Sequence, residues 1–233
     1  MNTSLEVVLP DEGKLKDAPA VYLLHGLSDN CTGWSRYTAV ERYARDCGAA
    51  VIMPEVQRSF YADMVMGLRY FTYVSRELPQ LCAHFFGLSG RREKNYIMGL
   101  SMGGYGALKC ALTNPKQYAG CASFSAVTEI EARAARVDDR LIRGEFQAIL
   151  GPGLKAAPEV SLQALLAKRK AAQLPRFFIT CGEQDALYPE NCRFAQALEK
   201  KGAAVSFNHW PGDHTWELWD RSVELALRAF LEK

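Results

Sequence analysis

The sequence predicts an α/β fold in which a mostly parallel sheet carries helices on both faces. Three observations lead there. Short apolar runs such as Val21-Tyr22-Leu23-Leu24 and Ala50-Val51-Ile52-Met53-Pro54 have the length and continuity of strands buried on both sides. Stretches with apolar residues at helical spacing separate them, so strand and helix alternate along the chain. With 233 residues, 48% of them hydrophobic, the chain can bury a full core as one domain spanning 1–233.

Leu5 to Leu9 reads as a strand turned at Pro10-Asp11-Glu12-Gly13, and Val21 to Leu24 as the first central strand. The latter ends in His25-Gly26-Leu27-Ser28-Asp29-Asn30. Trp34, Tyr37, Val40, Ala44 and Cys47 then recur at helical spacing, and Gly48 follows as a stop, which predicts one helix. After the strand Ala50–Pro54 comes the polar and aromatic loop Arg58-Ser59-Phe60-Tyr61-Ala62-Asp63-Met64. A helical stretch from Tyr70 through Leu78-Pro79 places Tyr70, Phe71 and Tyr73 toward the core.

Tyr96 to Leu100 is the next strand, and Ala107, Leu108, Ala111 and Leu112 mark a helix that Asn114-Pro115 stops. Cys121 to Ser125 is a further strand. From Glu129 to about Gln173 the chain is richer in charge, with Gly151-Pro152-Gly153 in its middle and a helix-like piece from Ser161. A connection this long predicts a lid or pocket wall, so 129–173 is expected to be an insertion over the site. Arg176 to Thr180 resumes the sheet, Cys192 to Leu198 is a helix ending at Gly202, and Val205 to Phe207 is the last strand. A terminal helix carries Trp216, Trp219, Val223, Leu227 and Phe230 on one side.

The chemistry concentrates at Gly99-Leu100-Ser101-Met102-Gly103, between a strand and a helix. This is the context of a nucleophile elbow, in which a tight bend lifts a serine hydroxyl clear of the backbone and the flanking glycines avoid collisions. The bend also leaves the Met102 amide at a helix N-terminus, where it can face an oxyanion. The glycine after the first central strand allows a second such donor, the Leu27 amide or its neighbour Ser28. A serine hydroxyl needs an imidazole to take its proton, and the imidazole needs a carboxylate to fix its tautomer. In this architecture the order is Ser, then Asp or Glu, then His. His25 and His84 precede the serine, which leaves His209 and His214. His214 is favoured because it sits deep in the loop after the last strand. Asp185 is favoured as the acid over Glu183 on the same loop, and Asp213 is too close in sequence to approach the His214 ring from behind.

Composition narrows the alternatives. A net charge of +2, with 28 basic and 26 acidic residues dispersed along the chain, makes no case for nucleic acid or an anionic membrane surface. No apolar run is long enough to cross a bilayer, and the N-terminus does not read as a signal peptide. Seven cysteines without C-x-x-C spacing fit free thiols in a reducing cytoplasm. Zinc, Walker and H-E-x-x-H spacings are missing, and the glycines at 104–106 do not complete a dinucleotide motif, so neither metal nor cofactor is expected. An uneven apolar surface would allow a homo-oligomer.

With Ser101, Asp185 and His214 placed, the sequence resembles the esterase D branch of the α/β-hydrolases, specifically the bacterial tributyrin-esterase type. The resemblance rests on His25 to Asn30 with Trp34, on Pro54-Glu55-Val56 and Ser59-Phe60-Tyr61, on Gly99 through Leu108, and on Gly212-Asp213-His214 with Trp216 and Trp219. It covers nearly the whole chain. It implies hydrolysis of short-chain acyl esters, with Trp34, Tyr61 and Trp216 as candidates for the substrate pocket. Relatives of that branch include S-formylglutathione hydrolases and acetyl, feruloyl or cinnamoyl esterases, so a thioesterase is the alternative. A hydrolase-like binding module without catalysis is a third reading, disfavoured because all three triad types are present in order. Members of the branch usually carry a further strand before the segment matching Met1 to Pro10, a departure that bears on the edge of the sheet and not on the site.

Overall fold

Among the described residues, seven strands form one sheet in the order β1-β3-β2-β4-β5-β6-β7. They are β1 Leu5–Val8, β2 Ala20–Leu24, β3 Ala50–Pro54, β4 Asn95–Leu100, β5 Gly120–Phe124, β6 Arg176–Gly182 and β7 Val205–Trp210. The computed structural model describes residues 2–11, 13–154 and 158–232. Glu12 of the expected turn and residues 155–157 of the expected insertion lie outside the described residues, as do Met1 and Lys233. Pairing from β3 through β7 is parallel, and only β1 runs antiparallel, at the edge beside β3.

The helices are α1 Gly33–Tyr37, α2 Val40–Asp46, α3 Tyr70–Thr72, α4 Leu78–Phe86, α5 Met102–Thr113, α6 Ile130–Ala135, α7 Arg140–Leu150, α8 Leu162–Ala167, α9 Tyr188–Lys200 and α10 Trp216–Leu231. Side-chain alternation in the central strands divides the core in two. Tyr22 and Leu24 of β2 join one apolar cluster with α4, α5, α8 and α9. Val21 and Leu23 join another with α2 and α10, where Trp219, Val223, Leu227 and Phe230 are buried. No helix among the described residues is long and apolar enough to cross a membrane.

The single helix expected from Trp34 to Cys47 is broken into α1 and α2 at Thr38-Ala39. Thr38 Oγ1 donates to Trp34 O at 2.5 Å and accepts from the Val40 amide at 3.2 Å. The Ala39 amide is taken by Asp220 Oδ1 of α10 at 2.9 Å. A carboxylate from far along the chain thus replaces an intrahelical acceptor, as a cap does.

The helical stretch begun at Tyr70 runs past Pro79 to Phe86. Residues Tyr73–Glu77 widen into a π-turn between α3 and α4. Proline lacks an N–H and its ring collides with the carbonyl one turn back, so a widened turn lets the helix continue. Tyr70 and Tyr73 are buried as expected, while Phe71 is half-buried.

The segment 129–173 holds α6, α7 and α8. Asp139 caps α7 through the amides of Leu141 and Ile142, and Ser161 caps α8 through that of Ala164. Phe146, Ile149 and Leu150 of α7 pack into the first core cluster. The Val65 and Met66 amides donate to Ile149 O and Ala148 O, which ties α7 to the loop after β3.

Candidate active site

The loops at the carboxyl ends of β2, β3, β4, β6 and β7 converge, which is where ligands meet open parallel sheets. At the centre stands Ser101. Its backbone is left-handed at φ 52°, ψ −113°. Its amide still donates across the sheet to Phe124 O at 2.8 Å, while its carbonyl accepts from Tyr105 at 3.1 Å and begins α5. One residue therefore closes a strand and opens a helix. A non-glycine residue in this region costs about 1–3 kcal/mol, which the surrounding sheet and helix must hold in place. The bend brings α5 against β2 and β4, leaving no room for a Cβ at Gly99, which faces Gly103 and Leu24, or at Gly103, which faces the Leu24 and His25 carbonyls.

His214 and Asp185 come together from two different loops. His214 Nδ1 lies 2.8 Å from Asp185 Oδ2. The loops are stitched to each other: the Gln184 amide donates to Gly212 O at 3.0 Å, the Gly212 amide to Gln184 Oε1 at 2.6 Å, and the Glu183 amide to Trp210 O at 3.1 Å. The imidazole meets the Trp219 ring edge to face, with centroids 4.8 Å apart. Asp185 is buried. Burial pushes its carboxyl up, but hydrogen bonds from His214, the Leu187 amide and Ser125 outweigh that and hold it below its ordinary value. It therefore stays a carboxylate beside the ring.

Ser101, His214, Leu27 and Trp216 line one cavity of about 380 Å³, together with Ser28, Phe60, Val127, Arg133 and Trp219 among others. A second cavity of about 370 Å³ shares Leu27, Phe60 and Arg133 with it and runs beneath α6 and α7 along Val137, Phe146, Ile149 and Leu187. The first half of the 129–173 segment therefore bounds the cavities. Its later half packs elsewhere, with Tyr105 of α5 donating to Val160 O at 2.7 Å.

The direction of the Leu27 amide follows from a buried histidine. His25 Nε2 accepts the Val56 amide at 3.1 Å, so the proton sits on Nδ1, which donates to Gly26 O at 2.7 Å. Burial pushes this imidazole below its ordinary range, against the Gly26 hydrogen bond and the charges of Glu55 and Asp29. It is the neutral tautomer at pH 7. Gly26 C=O and Leu27 N–H belong to one planar trans peptide and point opposite ways. Fixing the carbonyl fixes the amide, which then faces away from His25.

Two aromatic residues expected in the pocket do not line it. Trp34 is fully buried, donates Nε1 to Leu24 O at 3.2 Å and supports the Trp216 ring edge to face at 5.4 Å. Tyr61 is also buried, and its neighbour Phe60 takes the cavity wall. Both residues have φ 48°, a left-handed pair in the loop after β3 that no apolar periodicity reveals. Phe60, Val127 and Arg133, which the sequence does not single out, reach the cavity through this loop, through the turn after β5 and through the packing of α6 respectively. The competing residues lie elsewhere: His209 pairs with Glu183 at 2.9 Å on the exposed surface, and Asp213 accepts the amide of His214 at 2.8 Å. No cluster of His, Cys, Asp and Glu among the described residues is arranged to hold a metal ion.

Comparison with known proteins places this geometry in context. A family model described as "Putative esterase" matches residues 1–230. The chain is 27% identical to an acetyl esterase of Caldicellulosiruptor saccharolyticus, over 97% of this chain and 91% of that one. Among solved structures it is similar to FphF, the fluorophosphonate-binding serine hydrolase F of Staphylococcus aureus, with 34% identity and a TM-score of 0.91 over 100% of this chain and 94% of that one. It is also similar to the S-formylglutathione hydrolase FrmB of Staphylococcus aureus, with 34% identity and a TM-score of 0.87 over 99% and 93% of the two chains.

Proposed function

Because the chain belongs to the esterase family, with the α/β-hydrolase fold, we propose that it is a carboxylesterase of short acyl chains that works through Ser101, His214 and Asp185. Its action on carboxylic esters follows from the family; the acyl preference and the residue roles are our reading. One observation carries them. A serine held in a strained elbow opens into the same cavity as an imidazole whose far nitrogen is engaged by a buried carboxylate at 2.8 Å.

In this reading Ser101 Oγ attacks the ester carbonyl and passes its proton to His214 Nε2, the nitrogen that Asp185 leaves free. The Asp185 carboxylate stabilises the imidazolium. The Met102 and Leu27 amides hold the oxyanion of the tetrahedral intermediate. His214 then protonates the departing alkoxide, and the acyl-enzyme is released by water through the same steps. Asp185→Asn keeps the shape of the pair but offers His214 no charge, and kcat is expected to fall by about two to four orders of magnitude with KM little changed. Retention of wild-type kcat would remove Asp185 from the mechanism.

The wall formed by Leu27, Phe60, Val127, Trp216 and Trp219 suits a small apolar acyl group. Initial rates with p-nitrophenyl acetate, butyrate and octanoate, a feruloyl ester and S-formylglutathione test this, with acetate and butyrate expected to lead in kcat/KM. The thioesterase reading has its own support in the 34% identity to the staphylococcal FrmB and in the guanidinium of Arg133 at the cavity, which suits an anionic substrate. A kcat/KM for S-formylglutathione at least tenfold above that for butyrate would replace the oxyester reading.

Three further parts belong to the same proposal. Helices α6 and α7 act as the wall over the site. Seven free cysteines fit a cytoplasmic protein. Self-association would use exposed apolar residues such as Phe85, 70% exposed on α4.

A further inference from the structure

Helix α5 carries, beyond Ser101, a charged residue that the ester chemistry does not use. Lys109 is 3% exposed. Its Nζ donates to the backbone oxygen of Tyr61 at 3.2 Å and stands 4.6 Å from the Phe71 ring centroid and 5.7 Å from that of Tyr105. Asp63, one of the acids whose charge it feels, is already engaged by Arg69 at 3.6 Å and by Thr72. Burial pushes this amine down to about 8, against the attraction of Cys110, Asp63 and Glu159, and it remains mostly charged at pH 7. A carbonyl and two ring faces are thin solvation for an ammonium, and an apolar side chain of the same length would fill the space without that penalty. What the amine gains is a hold on Tyr61 O.

Tyr61 stands at a strained place. It and Phe60 form a consecutive left-handed pair, and such a pair persists only when its surroundings over-determine it. The Tyr61 amide donates to Ser59 Oγ at 3.2 Å, and its ring lies against α5, where a Cβ on Gly106 would come within 2.5 Å of it. The Tyr61 hydroxyl donates to His25 O at 3.0 Å. His25 O belongs to the peptide unit immediately before the one that carries the Leu27 amide, and His25 Nδ1 fixes that next unit. Both peptide planes leading to the amide are therefore tied, one by Tyr61 and one by His25.

We propose that Lys109 and Tyr61 are positioning residues for the oxyanion loop: the buried succession from Lys109 Nζ to Tyr61 O, and from Tyr61 Oη to His25 O, sets where the Leu27 amide points. The proposal rests on the reading of Leu27 as an oxyanion donor given above. Neither residue touches the substrate. Their loss changes how well the tetrahedral intermediate is held and leaves binding of the ground-state ester alone.

Tyr61→Phe removes one oxygen and keeps the ring against Gly106. Lys109→Met removes the amine and keeps the length. For each, kcat on p-nitrophenyl butyrate per active site titrated with a fluorophosphonate is expected to fall about tenfold or more, with KM within twofold of wild type. The inhibition constant of butylboronic acid, whose tetrahedral adduct on a serine needs the same amides, is expected to rise by the same factor as kcat falls. A lowered melting temperature with wild-type kcat per titrated site and an unchanged boronate constant would mean that the pair only stabilises the fold, and would overturn the proposal. Should Lys109→Met not fold, Tyr61→Phe decides alone. Leu27→Pro separates the two levels, because it deletes the amide itself. A fall of about 10²–10³ in kcat is expected there. Wild-type turnover in Leu27→Pro would remove the donor and this proposal with it, while the roles of Ser101 and His214 would stand.

Discussion

Replacing Ser101 by alanine is expected to lower kcat for p-nitrophenyl butyrate by about 10⁴ to 10⁶ and to abolish labelling by a fluorophosphonate. The size follows from what a single oxygen does in this arrangement. Without it, His214 has no hydroxyl to deprotonate, no acyl-enzyme forms, and hydrolysis must await direct attack by water. The amides and the cavity walls remain, and they account for the residual rate over water that such variants keep. The fold is expected to survive, since alanine needs no more space than serine and the Ser101 amide and carbonyl keep their bonds to Phe124 and Tyr105. Melting temperature and turnover therefore separate in this variant. Turnover and labelling at wild-type levels would place the nucleophile elsewhere and end the reading of the elbow.

Gly103→Ala is expected to do the opposite and damage fold and activity together. The added Cβ meets the carbonyls of Leu24 and His25, which are backbone and cannot turn aside as a side chain does. Either α5 shifts away from β2, or the pairing of Leu24 with Gly99 opens. A destabilisation of about 3 kcal/mol is expected, at the upper end for overpacking because the collision is with backbone, which for a domain of this size lowers the melting temperature by about 6–12 °C. In the fraction that still folds, displacement of Met102 and His25 disturbs both proposed oxyanion donors, so kcat per titrated site falls as well. Gly144→Ala is the control: it lies at an exposed position in the middle of α7 with nothing near its Cβ, and is expected to be neutral or slightly stabilising. Equal calorimetric behaviour of the two variants would contradict the packing described at the elbow.

The parts of the fold that local chemistry dictates were legible in the sequence. Continuous apolar runs marked β2, β3, β4 and β6, because strands covered on both faces carry few buried polar residues, here Asn95 and Thr180. Asn114 and Gly202 mark the helix ends for local reasons of the same kind. The break between α1 and α2 was hidden because its cause, the Asp220 carboxylate, lies 181 residues away. The ten-residue run from Val205 to His214 read as a strand only to Phe207, since polar Asn208 and His209 on an exposed edge carry no burial signal, yet β7 continues to Trp210. At the site, chain order left His209 with His214 and Glu183 with Asp185, position in the loop favoured Asp185 and His214, and the structure brings those two within 2.8 Å. The cavity walls were less legible. Whether Phe60 or Tyr61 faces the substrate depends on a left-handed backbone at two bulky residues, which composition and spacing do not encode.

Helix α10 covers the β5 and β6 side of one face of the sheet, beside α2, and Asp220 on it also holds the turn between α1 and α2. A chain emerging from the ribosome at about 5–20 residues per second presents Tyr96 and Phe178, which Phe230 of α10 packs against, long before that cover is made. Until α10 emerges, this apolar face is open to chaperones and to neighbouring nascent chains. That side of the sheet therefore cannot be closed before residues 216–231 are made.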